Sequence, residues 1–457
     1  MAIAWDMETD LVIVGAGGCG LMAAFVAAKL GVELILLEKD SRLGCNTDLA
    51  SGSIAAWGTR FQKAAGIRGT PEQMADDILR KNHGRADRAI VLELCRRTLD
   101  VVDTLVDEVG LELTLNTDAG RFGHSFLRMH NPKGKSGARI TRALHEALAH
   151  FPSATFADRT PGAGLVTDAA GAVIGVRAGE SGEQRIGAKK VILACDGFGA
   201  NRDMLRRYIP AMADVECIGA QGNTGDGIRW GLELGAAVEH MSGHQGHGYV
   251  IPGYGTRLVP EVPLLGAVMV NADGVRFDRE DQGYSELAGV LLKQPRGVAY
   301  MFFDQRIYDV VSPNEHFRDT VAAGALKKAD TIEELATAFK LNPQRVRATF
   351  DEYYANVRKG HDPIGREDFG KPLQSPYYGA QITGTLAHTQ GGLKVDVHGR
   401  VLRADGCAIP NLYAGGGTAA GFSGDGPAGY LSGNGLLTAL GFGLVAAEHA
   451  AAAIRGN

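Results

Sequence analysis

The chain has 457 residues, of which 45% are hydrophobic and 22% are charged. This composition is typical of a globular protein with about two or three domains. The formal net charge is −5, and the basic residues do not cluster into a stripe. We therefore expect no nucleic-acid partner.

The six cysteines are scattered along the chain without a CxxC pair. This spacing excludes the common zinc, haem-attachment and iron–sulfur motifs, so we expect no metal site. It also favours a reducing, cytoplasmic location. The most apolar stretch, Leu436–Ile454, contains Glu448 and His449, which predicts a buried helix and no membrane span.

The first 150 residues alternate between strands and helices. Leu11–Val14 is an apolar run typical of a parallel strand covered on both faces, and a second strand is predicted at Leu34–Leu37. A helix from about Gly20 to Leu30 connects them. Amphipathic spacing predicts that residues 72–110 are largely helical.

A further helix is predicted over residues 137–150, with Ser136 as its N-cap. Residues 162–193 have the pattern of a β-meander. Residues 240–385 are richer in proline and aromatic residues and contain a helical segment at 345–357, whereas strand, Gly-rich loop and helix return at 393–450.

The sequence therefore predicts an α/β fold in two parts. Residues 1–240 and 386–457 form a Rossmann-like domain with a β-meander, and residues 241–385 form an inserted α+β capping domain.

Gly15–Gly20 is a GxGxxG motif that follows a strand and opens a helix. The first Gly permits a tight turn, the second lets the backbone approach a pyrophosphate, and the third allows close packing of helix and strand. Glu38 ends the next strand, where an acid accepts hydrogen bonds from ribose hydroxyls. These features predict dinucleotide binding; a Gly-rich turn without a ligand is the alternative.

This motif alone fits NAD or FAD, and three further segments favour FAD. Residues 44–52 follow the second strand as a loop, and residues 193–201 end a later strand in small residues. Residues 412–417 and 433–437 precede the last long helix. Its N-terminus would face the flavin edge on which negative charge collects during reduction.

Four segments carry a family resemblance: the Asn-Thr-x-Leu-Ala-x-Gly loop at 46–52, Asn223–Gly227, Val270–Phe277 and His388–Leu393. Together they resemble the fumarate reductase/succinate dehydrogenase flavoprotein superfamily over nearly the whole chain. The resemblance implies a bipartite FAD-binding domain of the GR2 type and a mobile cap, with the active site between them.

Succinate dehydrogenases attach the flavin through a His in the first loop. Asn46 stands at or beside that place, so the resemblance implies non-covalent FAD. A Glu often found after the last Ala–Gly strand end is Gly417 here, which removes one expected contact to the ribityl chain. The predicted FAD-binding residues are Gly15, Ala16, Gly17, Gly18, Cys19, Gly20, Glu38, Lys39, Asn46, Thr47, Leu49, Ala50, Ser51, Gly52, Val166, Ala194, Cys195, Asp196, Gly197, Asn201, Gly225, Asp226, Gly416, Gly417, Asn434, Gly435, Leu436 and Leu437.

Two tyrosines distinguish branches of the superfamily. Soluble fumarate reductases hold a dicarboxylate between two arginines, and those positions fall on Tyr284 and on or near Tyr430 here. A Tyr at position 284, together with Phe303–Arg306, resembles the 3-ketosteroid Δ1-dehydrogenases and related cyclic-ketone desaturases. Tricarballylate dehydrogenases are similar through the same stretch, so a carboxylate substrate is a second alternative.

The resemblance also implies the catalytic roles. Tyr284 would take a proton from the carbon beside a carbonyl, while the neighbouring carbon gives hydride to flavin N5. His247, His388, Gly429 and Tyr430 would surround the substrate. A free Tyr titrates near pH 10, so a positive charge must favour its deprotonation, and Arg279 is a local candidate. The resemblance suggests that the backbone N–H of Gly429 donates to the substrate carbonyl oxygen. In the steroid enzymes a Tyr four residues earlier is the second donor, but this chain has Asp425 there, which disfavours a steroid substrate.

Each candidate also has a structural alternative. Tyr284 can be a packed aromatic residue, and His247 belongs to a His-rich stretch with His240 and His244. Arg128 and His130 can bind a substrate carboxylate or can lie in a solvated loop.

We therefore predict an FAD-dependent dehydrogenase that desaturates a C–C bond beside a carbonyl or carboxyl of a small, cyclic or carboxylated, substrate. One alternative is an ene-reductase, like the fumarate and urocanate reductases, running the reverse reaction. Another is the flavoprotein subunit of an electron-transfer complex. The expected partners are a small-molecule substrate and an electron acceptor that the sequence does not identify.

Overall fold

The computed structural model describes residues 4–117 and 122–456. The chain divides into two compact units. The first unit is built from Met1–Asn116, Gly123–His244 and Ala387–Asn457, and the second from Thr117–Phe122 and Gln245–Leu386.

Strands and helices occur throughout both units. The strands in chain order are β1 (Met7–Val14), β2 (Leu34–Leu37), β3 (Ile54–Ala55), β4 (Leu113–Leu115), β5 (Met129–Pro132), β6 (Ala154–Ala157), β7 (Gly162–Thr167), β8 (Val173–Ala178), β9 (Gln184–Leu193), β10 (Val238–Glu239), β11 (His244–Ile251), β12 (Thr256–Arg257), β13 (Val268–Asn271), β14 (Val298–Asp304), β15 (Lys327–Ala329), β16 (Tyr377–Thr389), β17 (Gly392–Leu393), β18 (Arg400–Leu402) and β19 (Ala408–Ala414). The helices are α1 (Gly18–Lys29), α2 (Asn46–Leu49), α3 (Arg60–Ala64), α4 (Pro71–Lys81), α5 (Arg88–Asp103), α6 (Ala138–Leu148), α7 (Arg202–Tyr208), α8 (Asp226–Glu233), α9 (Glu261–Leu264), α10 (Tyr284–Leu292), α11 (Gln305–Val311), α12 (Glu315–Ala322), α13 (Ile332–Ala338), α14 (Pro343–Arg358) and α15 (Asn434–Ile454).

The main sheet of the first unit is mostly parallel. Its strand order is β18-β19-β9-β1-β2-β6, and β1 pairs in parallel with both β2 and β9. Leu11–Val14 is buried throughout, as predicted for a strand covered on both faces. The antiparallel path β7-β8-β9 confirms the predicted β-meander.

Helices α1 and α15 pack closely against each other in the first unit. A Cβ placed on Gly443 of α15 would lie 2.5 Å from the carbonyl oxygen of Cys19, so only Gly permits this approach. By length and hydropathy α15 resembles a membrane span, but 72% of its most apolar window is buried within the chain. This burial is typical of the core helix of a globular domain.

One local prediction needs correction. The N-cap of α6 is Gly137, not Ser136, and no side-chain hydrogen bond caps this end of the helix. A Cβ on Gly137 would lie 1.8 Å from the carbonyl oxygen of Thr47, so close packing on α2 places Gly at this position. The prediction that residues 72–110 are largely helical is confirmed: α4 is followed by α5, which Asp87 caps and whose end continues as a π-helical turn over Thr104–Glu108.

The second unit is built on an antiparallel sheet in the order β12-β11-β16-β14-β13, with β15 on β16. Its core contains Phe302, Phe303 and Phe350. The predicted helix at 345–357 is confirmed within α14. A buried ion network holds the unit together: Arg276 pairs with Glu280 at 2.7 Å and with Asp362 at 2.9 Å.

Candidate functional site

The Gly-rich turn between β1 and α1 leaves backbone exposed to a ligand. Gly15 has φ 103°, a conformation that favours Gly. A Cβ on Gly20 would lie 1.8 Å from the carbonyl oxygen of Gly15, whereas the nearest atom to a Cβ on Gly17 is 3.6 Å away. Gly17 caps α1 without a side-chain bond, so the helix N-terminus offers its amides to an anion.

Glu38 holds this turn. Its Oε2 accepts from the backbone N–H of Ala16 at 2.8 Å, and its Oε1 accepts from that of Asp40 at 3.0 Å. The carboxylate therefore lies beside the phosphate-binding turn, as the sequence predicts for an acid that contacts a ribose.

Lys39 and Asp226, both predicted to bind the cofactor, contact each other. Lys39 Nζ lies 2.8 Å from Asp226 Oδ2. Burial raises the pKa of Asp226, but hydrogen bonds from Lys39 and Thr224 outweigh it and the net pKa is lowered. Both side chains line a cavity of about 230 Å³ together with Trp230.

The loop before α2 packs on the Gly-rich turn. Thr47 Oγ1 accepts from the backbone N–H of Gly18 at 3.3 Å, and Asn46 Oδ1 accepts from that of Ala220 at 2.9 Å. Leu49 is exposed. Asn201, predicted as a cofactor residue, caps α7 and donates to the carbonyl of Thr224, so both ends of its amide are engaged.

Asp196, after β9, has an unusual backbone and an enclosed carboxylate. Its φ is 60°, in the left-handed region that non-Gly residues rarely adopt. Oδ1 accepts from the backbone N–H of Gly197 at 2.8 Å. A Cβ on Gly417 would lie 2.1 Å from this oxygen. Burial raises the pKa of Asp196, and the nearby His388 opposes that shift.

The start of α15 brings three predicted site residues together. A Cβ on Gly435 would lie 3.3 Å from His388 Nε2 and 3.8 Å from the Tyr430 hydroxyl. The rings of His388 and Tyr430 are 5.7 Å apart. Gly433 caps α15 without a side-chain bond, and the buried Nδ2 of Asn434 has no hydrogen-bond partner among the described residues.

In the second unit, Tyr284 is the first residue of α10. Its ring centroid lies 5.3 Å from that of His247 on β11. Ser285 Oγ accepts from the backbone N–H of Gly246 at 3.0 Å and so fixes α10 on this strand. Burial lowers the pKa of His247 well below its ordinary value, and its Nδ1 accepts from the N–H of Tyr249 at 3.3 Å. His247 is therefore neutral, with its proton on Nε2.

Sequence reasoning missed Arg257 and His316, which belong to the same region of the second unit. The Arg257 guanidinium lies 2.7 Å from His316 Nε2. Burial lowers the pKa of Arg257 to about 10, while an electrostatic interaction with Tyr284 opposes the shift. The two-residue strand β12 carries no motif, so the sequence offered no signal for Arg257.

Arg279, predicted as a local positive charge for Tyr284, has carboxylate partners of its own. It pairs with Asp281 at 2.7 Å and with Glu367 at 3.6 Å, so its charge is compensated locally. Arg257, by contrast, interacts electrostatically with Tyr284.

Arg128 and His130 do not lie in a solvated loop. Arg128 is 1% exposed and pairs with Asp77 at 2.7 Å. His130 Nε2 lies 2.8 Å from Thr59 Oγ1. These contacts hold β5 against α4 and α3, and the guanidinium already has a carboxylate partner.

The comparison with protein families supports the FAD site predicted from the Gly-rich turns. The model of a family described as FAD binding domain matches residues 10–436. The chain belongs to this FAD-binding family. It is 30% identical over 452 residues to a probable fumarate reductase of Shewanella frigidimarina, a match covering 97% of this chain and 75% of that protein.

Two other proteins are similar to this chain over nearly its whole length. The chain is 27% identical to a 3-oxosteroid 1-dehydrogenase of Mycobacterium tuberculosis, covering 97% of this chain and 98% of that protein. The open conformation of a flavocytochrome c3 fumarate reductase superposes with a TM-score of 0.82 at 29% identity, covering 99% of this chain and 79% of that one. The fold is thus a mixed α/β fold with an FAD-binding domain and a capping domain.

The protein is an FAD-dependent oxidoreductase acting on CH–CH groups, like these members of its family. The site fits the cofactor, because the N-termini of α1 and α15 lack side-chain caps and the buried amide of Asn434 has no partner among the described residues. Within the described residues, no group of three His, Cys, Asp or Glu side chains is arranged to hold a metal ion.

Proposed function

We propose that this FAD-dependent enzyme desaturates a C–C bond beside a carbonyl or carboxyl group of a small substrate, with Tyr284 as the general base. The observation that carries the proposal is the placement of the Tyr284 ring 5.3 Å from the neutral His247. A phenol at a helix start beside a neutral imidazole can exchange a proton with substrate while the imidazole donates a hydrogen bond.

Two features favour the deprotonated form of Tyr284. Its ring is attached to the first residue of α10, where the helix dipole is positive. The cation of Arg257 interacts with it electrostatically, and a nearby positive charge stabilises a phenolate. Tyr284 then removes the proton from the carbon beside the carbonyl.

The other candidates stabilise the charge that develops on the carbonyl oxygen. His247 donates from Nε2, because its Nδ1 already accepts from the backbone. In the first unit, His388 and Tyr430, whose rings lie 5.7 Å apart, and Gly429 stay predictions from the sequence as further donors. Such donors stabilise an enolate more strongly than the neutral carbonyl.

The first unit holds FAD non-covalently through the Gly-rich turns, Glu38, the loop at Asn46 and the start of α15. Asn46 offers no nucleophile for a covalent link. When bound, FAD supplies the hydride acceptor for the carbon next to the one that loses its proton. The physiological electron acceptor and a cytoplasmic location stay predictions from the sequence.

The experiment follows the flavin absorbance of the purified holoenzyme under anaerobic conditions. We expect at least one saturated ketone or carboxylic acid from a panel to bleach the flavin, and the matching unsaturated compounds to leave it oxidised. The proposal is wrong if no saturated compound bleaches the flavin while an unsaturated acid rapidly reoxidises the reduced enzyme.

That second outcome would support an ene-reductase, the alternative favoured by the 30% identity to a probable fumarate reductase. The same residues serve both directions, because a Tyr that takes a proton in one direction returns it in the other. Tyr284 would then be the acid.

A further inference from the structure

The carboxylate of Asp196 occupies the space into which a side chain at position 417 would extend. Its Oδ1 is 2.1 Å from the place of a Cβ on Gly417, far inside van der Waals contact. A Cβ at 417 would also lie 2.8 Å from the backbone N of Gly197, so a larger residue on the β19 loop requires both the Asp196 side chain and the backbone beside it to shift.

The backbone around Asp196 is built to hold this carboxylate. A φ of 60° is unfavourable for a residue with a Cβ, yet two contacts fix it. Thr418 Oγ1 donates to the Asp196 carbonyl at 2.9 Å, and the backbone N–H of Gly197 donates to Oδ1 at 2.8 Å. Strain that is fixed in this way is frequent at functional sites.

The carboxylate lies where several Gly-rich loops of the first unit meet. Asn223 Nδ2 donates to Oδ2 at 3.2 Å, and Asn46 also donates to this carboxylate. These protein donors are neutral amides. Asp196 is half-buried, and its carboxylate has remaining acceptor capacity for hydroxyl groups, the partners that carboxylates bind in nucleotide sites.

We propose that the Asp196 carboxylate accepts hydrogen bonds from the ribityl hydroxyls of FAD. The inference concerns cofactor binding and does not depend on the substrate or on the role of Tyr284.

The test is a swap of the carboxylate between the two loops. FAD affinity of the apoprotein is measured by flavin fluorescence for Asp196→Gly, Gly417→Glu and the double variant. We expect each single variant to bind FAD about 10- to 100-fold more weakly, because one loses a charged acceptor and the other forces two side chains into one space. The double variant should recover part of the lost affinity, because its Cβ at 417 still lies 2.8 Å from the backbone N of Gly197.

Asp196→Gly places Gly at a left-handed position that it adopts easily, so the apoprotein should keep its thermal unfolding midpoint. If that variant does not fold, Asp196→Asn takes its place, because the amide oxygen can still accept from Gly197. The proposal would be overturned if the variant at Asp196 bound FAD with wild-type affinity. It would also be overturned if the double variant bound FAD no more tightly than the weaker of the two single variants.

FAD analogues that lack single ribityl hydroxyls separate direct contact from a structural role. At least one analogue should bind wild-type protein about 10-fold more weakly than FAD, with little further loss in the Asp196→Gly variant. If every analogue loses the same affinity in both proteins, Asp196 does not contact the ribityl chain.

Discussion

The rings of Tyr284 and His247 lie 5.3 Å apart, centroid to centroid. The residues beside them in the chain are joined by a hydrogen bond from the backbone N–H of Gly246 to the side-chain Oγ of Ser285. This bond connects the first turn of α10 to strand β11, and the placement of the two rings underlies the catalytic prediction.

Tyr284→Phe should reduce turnover by about 10²-fold or more while FAD stays bound, because the variant loses only the hydroxyl that exchanges the proton. Turnover and flavin absorbance are measured on the same preparation. Tyr249→Phe is the matched control: its ring lies 6.5 Å from that of Tyr284, and its hydroxyl has no proposed role. Equal losses in both variants would mean that packing, not proton transfer, explains the effect.

Arg257→Met should move the acidic limb of the pH–rate profile to higher pH. The cation of Arg257 favours the deprotonated phenol of Tyr284, so its removal leaves less of the active base at a given pH. The profile is recorded as kcat/KM against pH. Arg257→Lys keeps a positive charge and should retain most of the wild-type profile; an unshifted limb in the Met variant would rule out this role for Arg257.

His130 should make stability depend on pH. Burial lowers its pKa to about 4 in the folded protein, against about 6.5 when unfolded. Between these values the unfolded chain binds more protons, so the free energy of unfolding falls as the pH drops. The loss from this residue is about 2 kcal/mol between about pH 7.5 and about pH 5.

Chemical unfolding of wild type and His130→Gln at the two pH values measures this contribution. The variant lacks the titrating ring and should lose less stability on acidification. A loss as large as that of wild type would show that other groups carry the pH dependence.

Gly443→Ala should destabilise the protein by about 1–3 kcal/mol, since its methyl group would meet the Cys19 carbonyl at 2.5 Å. Gly441→Ala is the control on the same helix, where the nearest atoms belong to the flexible Leu94 side chain at 3.3 Å. Both changes raise helix propensity equally. Thermal unfolding of the two variants should therefore separate them, with a lower midpoint for Gly443→Ala alone.

The sequence predicted those features in which a local pattern determines local geometry. The apolar run at Leu11–Val14 and the glycines that follow it define β1, the turn and α1, because strand burial and positive φ have direct residue signatures. The meander and the last helix were predictable for the same reason.

Contacts between distant segments were not predictable. Arg279 is nearest to Tyr284 along the chain among the basic candidates, yet it pairs with Asp281, while Arg257 lies on a strand without a motif. Likewise, the sequence around Arg128 does not indicate that its partner is Asp77, which is 51 residues away in the chain. The partner of a charged side chain depends on the packing of whole elements, which a single sequence does not encode locally.

The packing of α1 on α15 also dictates an order of assembly. These helices meet across the entire second unit in sequence, so during synthesis every strand of that unit leaves the ribosome before α15 exists. The first unit is therefore complete only after the final helix has been synthesised, and until then the chain lacks the helix N-terminus that we expect to face the flavin.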